Sequence, residues 1–342
     1  MLLLSNIFHL FHIFIDYRRR SETVRSMPIR MWVETASLCN LRCVMCLNKD
    51  LCASEKGLMD FSLFRKIIDE AKHFVNDMYL HHRGEPLLNP ALFDMITYAR
   101  EAGVKTRFHT NGTLLNEEKA RKLLEAGPDL VSFSVDGFDK HSYEQIRVGA
   151  NFEETVSNII RLVEIRKSMN LKKPYVVVEK IRFRNPSDRE DKRKTDELRD
   201  KFLDAGVNEV IEKDEYIWAE ENAPETGKVP PEYSACTFPW YAMAVCADGT
   251  VTPCPQDYRA KMAMGNVNDN TLKEIWNGEA YRDLRRKFKT DLNSLVLCRK
   301  CDRLQRKTVC GVPLQYMTTF FVDQLVGYNK RLRKLFGTSE RN

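Results

Sequence analysis

The sequence predicts an α/β fold, a parallel sheet with helices outside it, followed by a small cysteine-rich domain. Two observations carry the first half. Short apolar runs alternate with longer runs of helical periodicity from Ile29 to about Ile217, and several helical runs close on a glycine. A third observation carries the second half: beyond Pro231 the pattern changes to short segments rich in Cys, Gly and Pro.

The strand-like runs are, in order, Met31–Thr35, Asp77–His81, Lys105–Thr110, Leu130–Val135, Tyr175–Ile181 and Glu209–Ile211. The helical runs between them are Phe61–Phe74, Pro90–Ala102, Asn116–Ala126, Phe152–Met169 and Lys192–Ala205. Gly103, Gly127 and Gly206 each follow an alanine at a predicted helix end, where a left-handed residue closes the last turn. The polar stretch 187–200 reads as a solvated helix face. Residues 220–231, with Pro224, Pro230 and Pro231, read as a linker. The chain therefore divides into an amphipathic segment 1–28, a core 29–219, the linker, a cysteine-rich domain 232–312 and a basic amphipathic tail 313–342.

A chain of 342 residues with 43% hydrophobic and 30% charged residues is an ordinary globular composition. The net charge of +6 is mild and basic clustering occurs only at the ends, so no nucleic-acid partner is expected. The ten cysteines fall in two groups, Cys39 to Cys52 and Cys236 to Cys310, which favours metal over disulfides and a reducing, cytoplasmic setting.

The run Leu2–Ile15 is too short to span a bilayer comfortably, and its basic residues Arg18, Arg19 and Arg20 follow it, against the order of a secretory signal. Leu3, Ile7, Leu10, Phe11 and Phe14 recur at helical spacing. Two readings stand: a helix lying on a membrane surface, or one packed on the protein itself. Met317–Leu335 repeats the apolar-plus-basic theme.

Cys39, Cys43 and Cys46 stand at C-x3-C-x2-C just after the first strand. Three thiolates in one loop can converge on one metal centre, one short of the usual set for a [4Fe-4S] cluster, and so leave an open iron. A structural zinc site is the bland alternative, with Cys52 the nearest further thiol; Cys52 is otherwise expected to pack as a small free thiol. Further landmarks follow successive strands: Arg83-Gly84-Glu85-Pro86, Thr110-Asn111-Gly112-Thr113, Ser134-Val135-Asp136-Gly137, then Tyr143-Glu144-Gln145-Ile146-Arg147.

This series resembles the radical S-adenosylmethionine (radical SAM) enzymes over roughly Met31 to Lys180, with Arg83 in place of the first glycine of their GGEP motif. The resemblance implies a partial (β/α)6 TIM-like barrel with the site at the C-terminal strand ends. It implies that Cys39, Cys43 and Cys46 hold a [4Fe-4S] cluster whose fourth iron binds the methionine part of SAM. Glu85 would face the SAM ammonium, Gly84 would permit close backbone approach, and Pro86 would stiffen the turn. Asn111 and Ser134 suit the ribose or carboxylate, although turn chemistry alone accounts for Asn-Gly. Arg147 suits a carboxylate, with an ordinary salt bridge as its alternative.

Cys236, the Asp248-Gly249 turn, Cys254, Gly265-Asn266 and the Cys298-x2-Cys301 pair resemble the SPASM or shorter twitch extension of the same enzymes. One auxiliary [4Fe-4S] cluster is expected, on Cys236, Cys254, Cys298 and Cys301, making two in all. A zinc knuckle is the alternative. Cys246 reads as core, and Cys310 as a free thiol or alternative ligand. The cofactors implied are then SAM and both clusters, with a reductant such as flavodoxin or ferredoxin.

An auxiliary cluster suits a net oxidation or dehydrogenation of a small molecule, such as a sugar, cyclitol or lipid-linked precursor. Only about 30 residues precede the first strand, short for a peptide-recognition domain. A peptide- or protein-modifying maturase is the second reading and a non-catalytic metal-binding module the third. No catalytic base is evident; Glu215, Tyr216, Trp218 and Asp257 lie near the expected cavity only by order along the chain.

Overall fold

The computed structural model describes residues 2–183, 192–215, 236–301, 304, 308–309 and 312–313. Residues 216–235, Cys310 and the tail from 314 onward lie outside them, and with them Tyr216, Trp218 and the expected linker.

Helix α1 (Leu2–Arg19) comes first. Strands β1 (Arg30–Val33), β2 (Asp77–Tyr79), β3 (Lys105–Thr110), β4 (Leu130–Ser134), β5 (Tyr175–Arg182) and β6 (Glu209–Asp214) follow. The intervening helices are α2 (Phe61–Ala71), α3 (Leu92–Glu101), α4 (Glu117–Ala126), α5 (Lys140–Ile146), α6 (Phe152–Ser168) and α7 (Lys192–Ala205). The six strands pair in parallel and in sequence order. All six predicted strands and five predicted helices are present; α5, carrying Tyr143, is an addition.

The sheet does not stop at β1. After the short helix α8 (Phe238–Tyr241), strand β7 (Ala242–Val245) pairs parallel to β1, and β8 (Thr250–Thr252) and β9 (Gly265–Asn266) continue antiparallel. The cysteine-rich region is thus built onto the edge of the core sheet. Gly249, at φ 88°, makes the turn between β7 and β8. Helices α9 (Leu272–Trp276) and α10 (Glu279–Thr290) pack beside it.

Side chains alternate across each strand. One face carries Met31, Val33, Met78, Phe108, Val131, Phe133, Val176 and Val178 into the core beneath the helices. Helix α2 shows how the other side of that core is made: Phe64, Ile67, Ile68 and Ala71 lie on one face and are buried, and Asp60 caps its first turn by accepting from the Ser62 N–H. Each large apolar side chain so buried contributes roughly 1.5–3 kcal/mol.

The opposite face of the strands lines the barrel interior and is polar. At its base Arg30 grips Asp77 through two hydrogen bonds of 2.7 and 2.6 Å, and Arg107 joins them at 3.0 Å. Above this plug Trp32 stacks on Tyr79 at 4.9 Å.

Helix α1 packs on the protein along one face. Leu10, Ile13 and Tyr17 are buried, and Tyr17 meets Trp240 edge-on at 5.7 Å. Ile7, Phe8 and Phe11 are exposed. Among the described residues no helix is long and apolar enough to cross a membrane.

Candidate functional site

The loop after β1 brings Cys39, Cys43 and Cys46 together at the C-terminal edge of the sheet. A turn closes it, with the Cys46 N–H donating to the Cys43 carbonyl at 3.1 Å. Two backbone bonds tie it to the end of α5, Arg42 N–H to Val148 O and Val44 N–H to Ile146 O. Asn48 staples it from below, donating to the carbonyls of Ser37 and Arg83 at 2.7 Å each. Burial raises Cys39 to about 11, with the neighbouring Glu85, Cys43 and Cys46 adding to the effect of burial. Burial also raises Cys43, against the opposing field of Arg147.

The turn after β2 fits against this loop because Gly84 has no side chain. A Cβ there would stand 2.3 Å from the Leu38 carbonyl and 2.5 Å from that of Ala36. Glu85, 2% exposed, is fully engaged: its carboxylate accepts from Leu87 N–H at 3.0 Å, Thr110 Oγ1 at 2.7 Å and Asn111 N–H at 2.7 Å. Burial nonetheless raises its pKa. Pro86 opens the short turn that follows, with Glu85 as its cap. Asn111 donates to Asn40, beside Cys39, at 2.9 Å and accepts from Thr113. Thus Glu85 and Asn111 organise three strand-end loops into one rim.

Arg147 forms a buried ion pair with Asp136, and its Nη1 donates to Cys43 Sγ at 3.7 Å. The salt bridge expected as its alternative role is present, and it holds a cation against a ligand candidate. Ser134 ends β4 on the cavity-facing side, half-buried.

Arg83 occupies the departure from the family motif. It donates bidentately to the fully buried Glu34 at 2.7 Å through Nε and Nη2, and its N–H donates to the same carboxylate. Glu34 also accepts from the Ala247 N–H at 2.9 Å, across the β1–β7 seam. The Arg83 carbonyl accepts from Tyr258 Oη at 2.9 Å, and that hydroxyl lies 3.6 Å from Cys46 Sγ.

Cys52 corrects an expectation. It is exposed rather than packed, lying 3.0 Å from Ser54 Oγ and donating to Glu55 Oε2 at 2.9 Å. It starts a surface turn, so its partners are polar rather than core side chains.

In the cysteine-rich region Cys236, Cys254, Cys298 and Cys301 line one cavity of about 440 Å³, part of it open to solvent, with Phe238, Met262, Phe288 and Leu297 among its apolar walls. Burial first, then the neighbouring Cys254, Cys236 and Cys301, push the Cys298 thiol well up. Among the described residues no three His, Cys, Asp or Glu side chains converge on a single ion position. Four thiols around a cavity suit a cuboidal cluster better than one zinc, whose sulfur ligands sit only about 2.3 Å from it. Cys246 is buried after β7, away from this lining. Asp257 is fully buried in the auxiliary wall, accepting from Lys261 and Met262 N–H at 2.8 Å each.

Sequence reasoning passed over the polar residues on the inward strand face. Just after β2 and on β3, His81 and His109 stack at 4.2 Å, and on β5 and β6 Glu179 and Lys213 pair at 2.8 Å. A signal was present on β3, where Lys105, Arg107 and His109 fall at every second position.

Comparison with known proteins bears on both halves of the chain. The radical SAM superfamily's sequence profile matches residues 33–173, and that of an iron–sulfur cluster-binding domain, SPASM, matches residues 236–302. The chain belongs to the radical SAM superfamily. Its cofactors are accordingly [4Fe-4S] clusters and SAM.

This radical SAM protein is 29% identical to the tungsten-containing aldehyde ferredoxin oxidoreductase cofactor-modifying protein of Pyrococcus furiosus, over 73% of the chain and 81% of the relative. It is 28% identical to the AdoMet-dependent heme synthase of Methanosarcina barkeri, over 82% and 89% respectively. It is 24% identical to the SAM-dependent 2-deoxy-scyllo-inosamine dehydrogenase of Niallia circulans, over 81% and 93%. The crystal structure of BtrN in complex with AdoMet and 2-DOIA shares the fold, with a TM-score of 0.54 at 20% identity over 81% of this chain and 94% of that one.

Proposed function

We propose that this radical SAM protein carries out a net two-electron oxidation of a small, hydroxylated molecule. The observation that carries the reading is the pairing of two cysteine sites on one sheet. Cys39, Cys43 and Cys46 would hold the cluster that binds SAM, and Cys236, Cys254, Cys298 and Cys301 the auxiliary one. When bound, the first cluster and SAM supply a 5′-deoxyadenosyl radical that takes one hydrogen atom from substrate. The protein's part is to hold SAM and shield the radical. The Gly84–Pro86 turn, Asn111 and Ser134 form the SAM rim, with Glu85 and Asn111 fixing its shape. Arg147 balances thiolate charge at Cys43. The dehydrogenase relative, matched over most of both chains, supports small-molecule oxidation. A low-potential reductant of the flavodoxin or ferredoxin class would supply the first electron.

The test is anaerobic turnover of reconstituted protein with SAM, reductant and a panel of cyclitols that includes 2-deoxy-scyllo-inosamine. The expected result is 5′-deoxyadenosine together with a ketone two mass units lighter than its substrate. Absence of 5′-deoxyadenosine would overturn the radical chemistry. Its formation with every cyclitol left unoxidised would overturn the substrate class.

A peripheral membrane contact is a second proposal, resting on one observation: α1 exposes Ile7, Phe8 and Phe11 while its last turn carries Arg18 and Arg19. The variant Phe8→Glu/Phe11→Glu should lose flotation with anionic vesicles without loss of stability. Equal flotation of variant and wild type would sink the proposal.

A further inference from the structure

The barrel interior contains a polar group that the cluster and SAM sites do not use. His81 follows β2, His109 lies on β3, Glu179 on β5 and Lys213 on β6, all on the inward face. The two imidazoles stack at 4.2 Å with an interplanar angle of 20°. Both are half-buried at the mouth of the barrel, above the Trp32–Tyr79 stack, and Tyr79 meets His81 edge-on at 5.6 Å.

Their protonation follows from their partners. The His109 backbone N–H donates to His81 Nδ1 at 3.1 Å, so that nitrogen carries no proton. A neutral His81 therefore bears its hydrogen on Nε2 and is a donor there. His109 Nδ1 lies 3.7 Å from Glu179 Oε2, and the carboxylate favours a proton on the nitrogen that faces it. The Nε2 of His109 is then an acceptor, and among the described residues nothing donates to it. Glu179 is anchored by Lys213 at 2.8 Å.

Both rings are pushed below the ordinary histidine range, which favours their neutral forms. Burial is the main cause, and the neighbouring His82 and Lys213 for His81, and Lys213 and Arg147 for His109, act in the same direction; only Glu179 opposes, at His109. For Glu179, burial would raise the carboxyl, but the Lys213 ammonium, paired with it at 2.8 Å, opposes this and holds it below the usual carboxylate range, so it stays ionised.

We propose that His81 and His109 are the hydroxyl-recognition pair of the substrate site: His81 Nε2–H donates to a substrate hydroxyl oxygen, and His109 Nε2 accepts that hydroxyl's proton. The inference deepens the oxidation reading and rests on it. A hydroxyl is donor and acceptor at once and satisfies both nitrogens; a carboxylate, acceptor only, leaves His109 Nε2 unmet. The balance is complete. At the carbinol carbon the C–H bond breaks and its hydrogen atom goes to the deoxyadenosyl radical. The O–H bond breaks and its proton goes to His109 Nε2. The C=O π bond forms as one electron departs to an acceptor of the iron–sulfur class. Glu179 is a positioning residue, acting through the tautomer of His109 as the buried carboxylate does in a serine-protease triad.

Two measurements on the full-length protein with oxidised clusters test this. In the first, ¹⁵N-histidine labelling and long-range ¹H–¹⁵N correlation at pH 7.5, assigned with His81→Gln and His109→Gln, read the tautomers without turnover. Expected are Nε2–H for His81 and Nδ1–H for His109, with Glu179→Gln shifting His109 toward Nε2–H. An Nε2–H tautomer or an imidazolium at wild-type His109 overturns the proposal. In the second, ketone formed per 5′-deoxyadenosine is compared between wild type and His109→Ala on the cyclitol panel. A fall of about 10²-fold or more is expected, with partial rescue by added imidazole. An unchanged ratio overturns the proposal while leaving dehydrogenation intact. If wild type forms no ketone, the oxidation reading fails, and the tautomers alone decide whether the donor–acceptor pair exists.

Discussion

Arg83 is where a single residue departs from the family motif, and its surroundings account for the change. The glycine of the motif has become an arginine whose guanidinium lies against Glu34, both buried. A carboxylate at the barrel wall demands a cation, because an unpaired buried charge is costly. Glu34 gathers donors from two segments: Arg83 beside the Gly84 turn, and Ala247 on the seam to the cysteine-rich region. Restoring the family residue by Arg83→Gly should therefore destabilise the protein, by about 3–5 kcal/mol, because Glu34 is left with no full counter-charge. Urea unfolding measures it. The double variant Arg83→Gly/Glu34→Gln should recover most of the loss. A single variant within about 0.5 kcal/mol of wild type would show that the pair carries no such role.

The elements were legible from the chain to different degrees, and the loop of Cys39, Cys43 and Cys46 shows why. Its cysteines stand together in sequence, but what shapes it does not. The loop rests on the Gly84 turn, whose missing Cβ leaves room for the Leu38 carbonyl at 2.3 Å, and Glu85 N–H donates to that carbonyl at 2.8 Å. Gly84→Ala should push the loop off the turn and lower iron from about eight to about four per chain, the auxiliary site remaining loaded. Iron analysis after anaerobic reconstitution reads this; a full complement in the variant would refute the packing argument. Strands and helices were legible because periods of 2 and 3.6 residues are local properties of sequence. The pairing of β7 with β1 was not, since Arg30 and Ala242 meet across more than 200 residues and nothing local marks the partner. Nor was the Asn48 staple, a lone polar residue whose two carbonyl partners come from distant loops. His81 and His109 were missed although the alternation on β3 was visible, because the strand was read for its apolar face alone. In α1 the apolar spacing was read as one face; the fold buries Leu10 and Ile13 and leaves Ile7 and Phe11 outside.

At the scale of the whole molecule, one sheet carries both cysteine sites and the contacts between them run through buried polar groups. His82 Nε2 meets the Pro255 carbonyl at 3.0 Å, next to Cys254, while its buried Nδ1 has no hydrogen bond among the described residues. His9 likewise fixes α1 by meeting the Met27 carbonyl at 2.8 Å. These two, with His81 and His109, are all lowered from the ordinary histidine range, burial being the largest cause in each. The sign of the linkage follows. The unfolded chain takes up protons on these rings as pH falls through about 6.5, and the folded chain does not until lower pH, so stability falls with acidification. Each such ring contributes on the order of 1 kcal/mol between pH 7.5 and 5.5. Glu179, at about 2, stays ionised throughout that window. Glu85, raised by burial, works in the opposite direction, because the folded state accepts its proton first. Unfolding free energy, measured anaerobically with iron content followed alongside, should therefore drop from pH 7.5 to 5.5. His82→Gln should flatten that slope by about one ring's share, since a glutamine can donate to the Pro255 carbonyl but does not titrate. An identical slope in the variant would mean that His82 titrates alike in both states and that the acid sensitivity lies elsewhere.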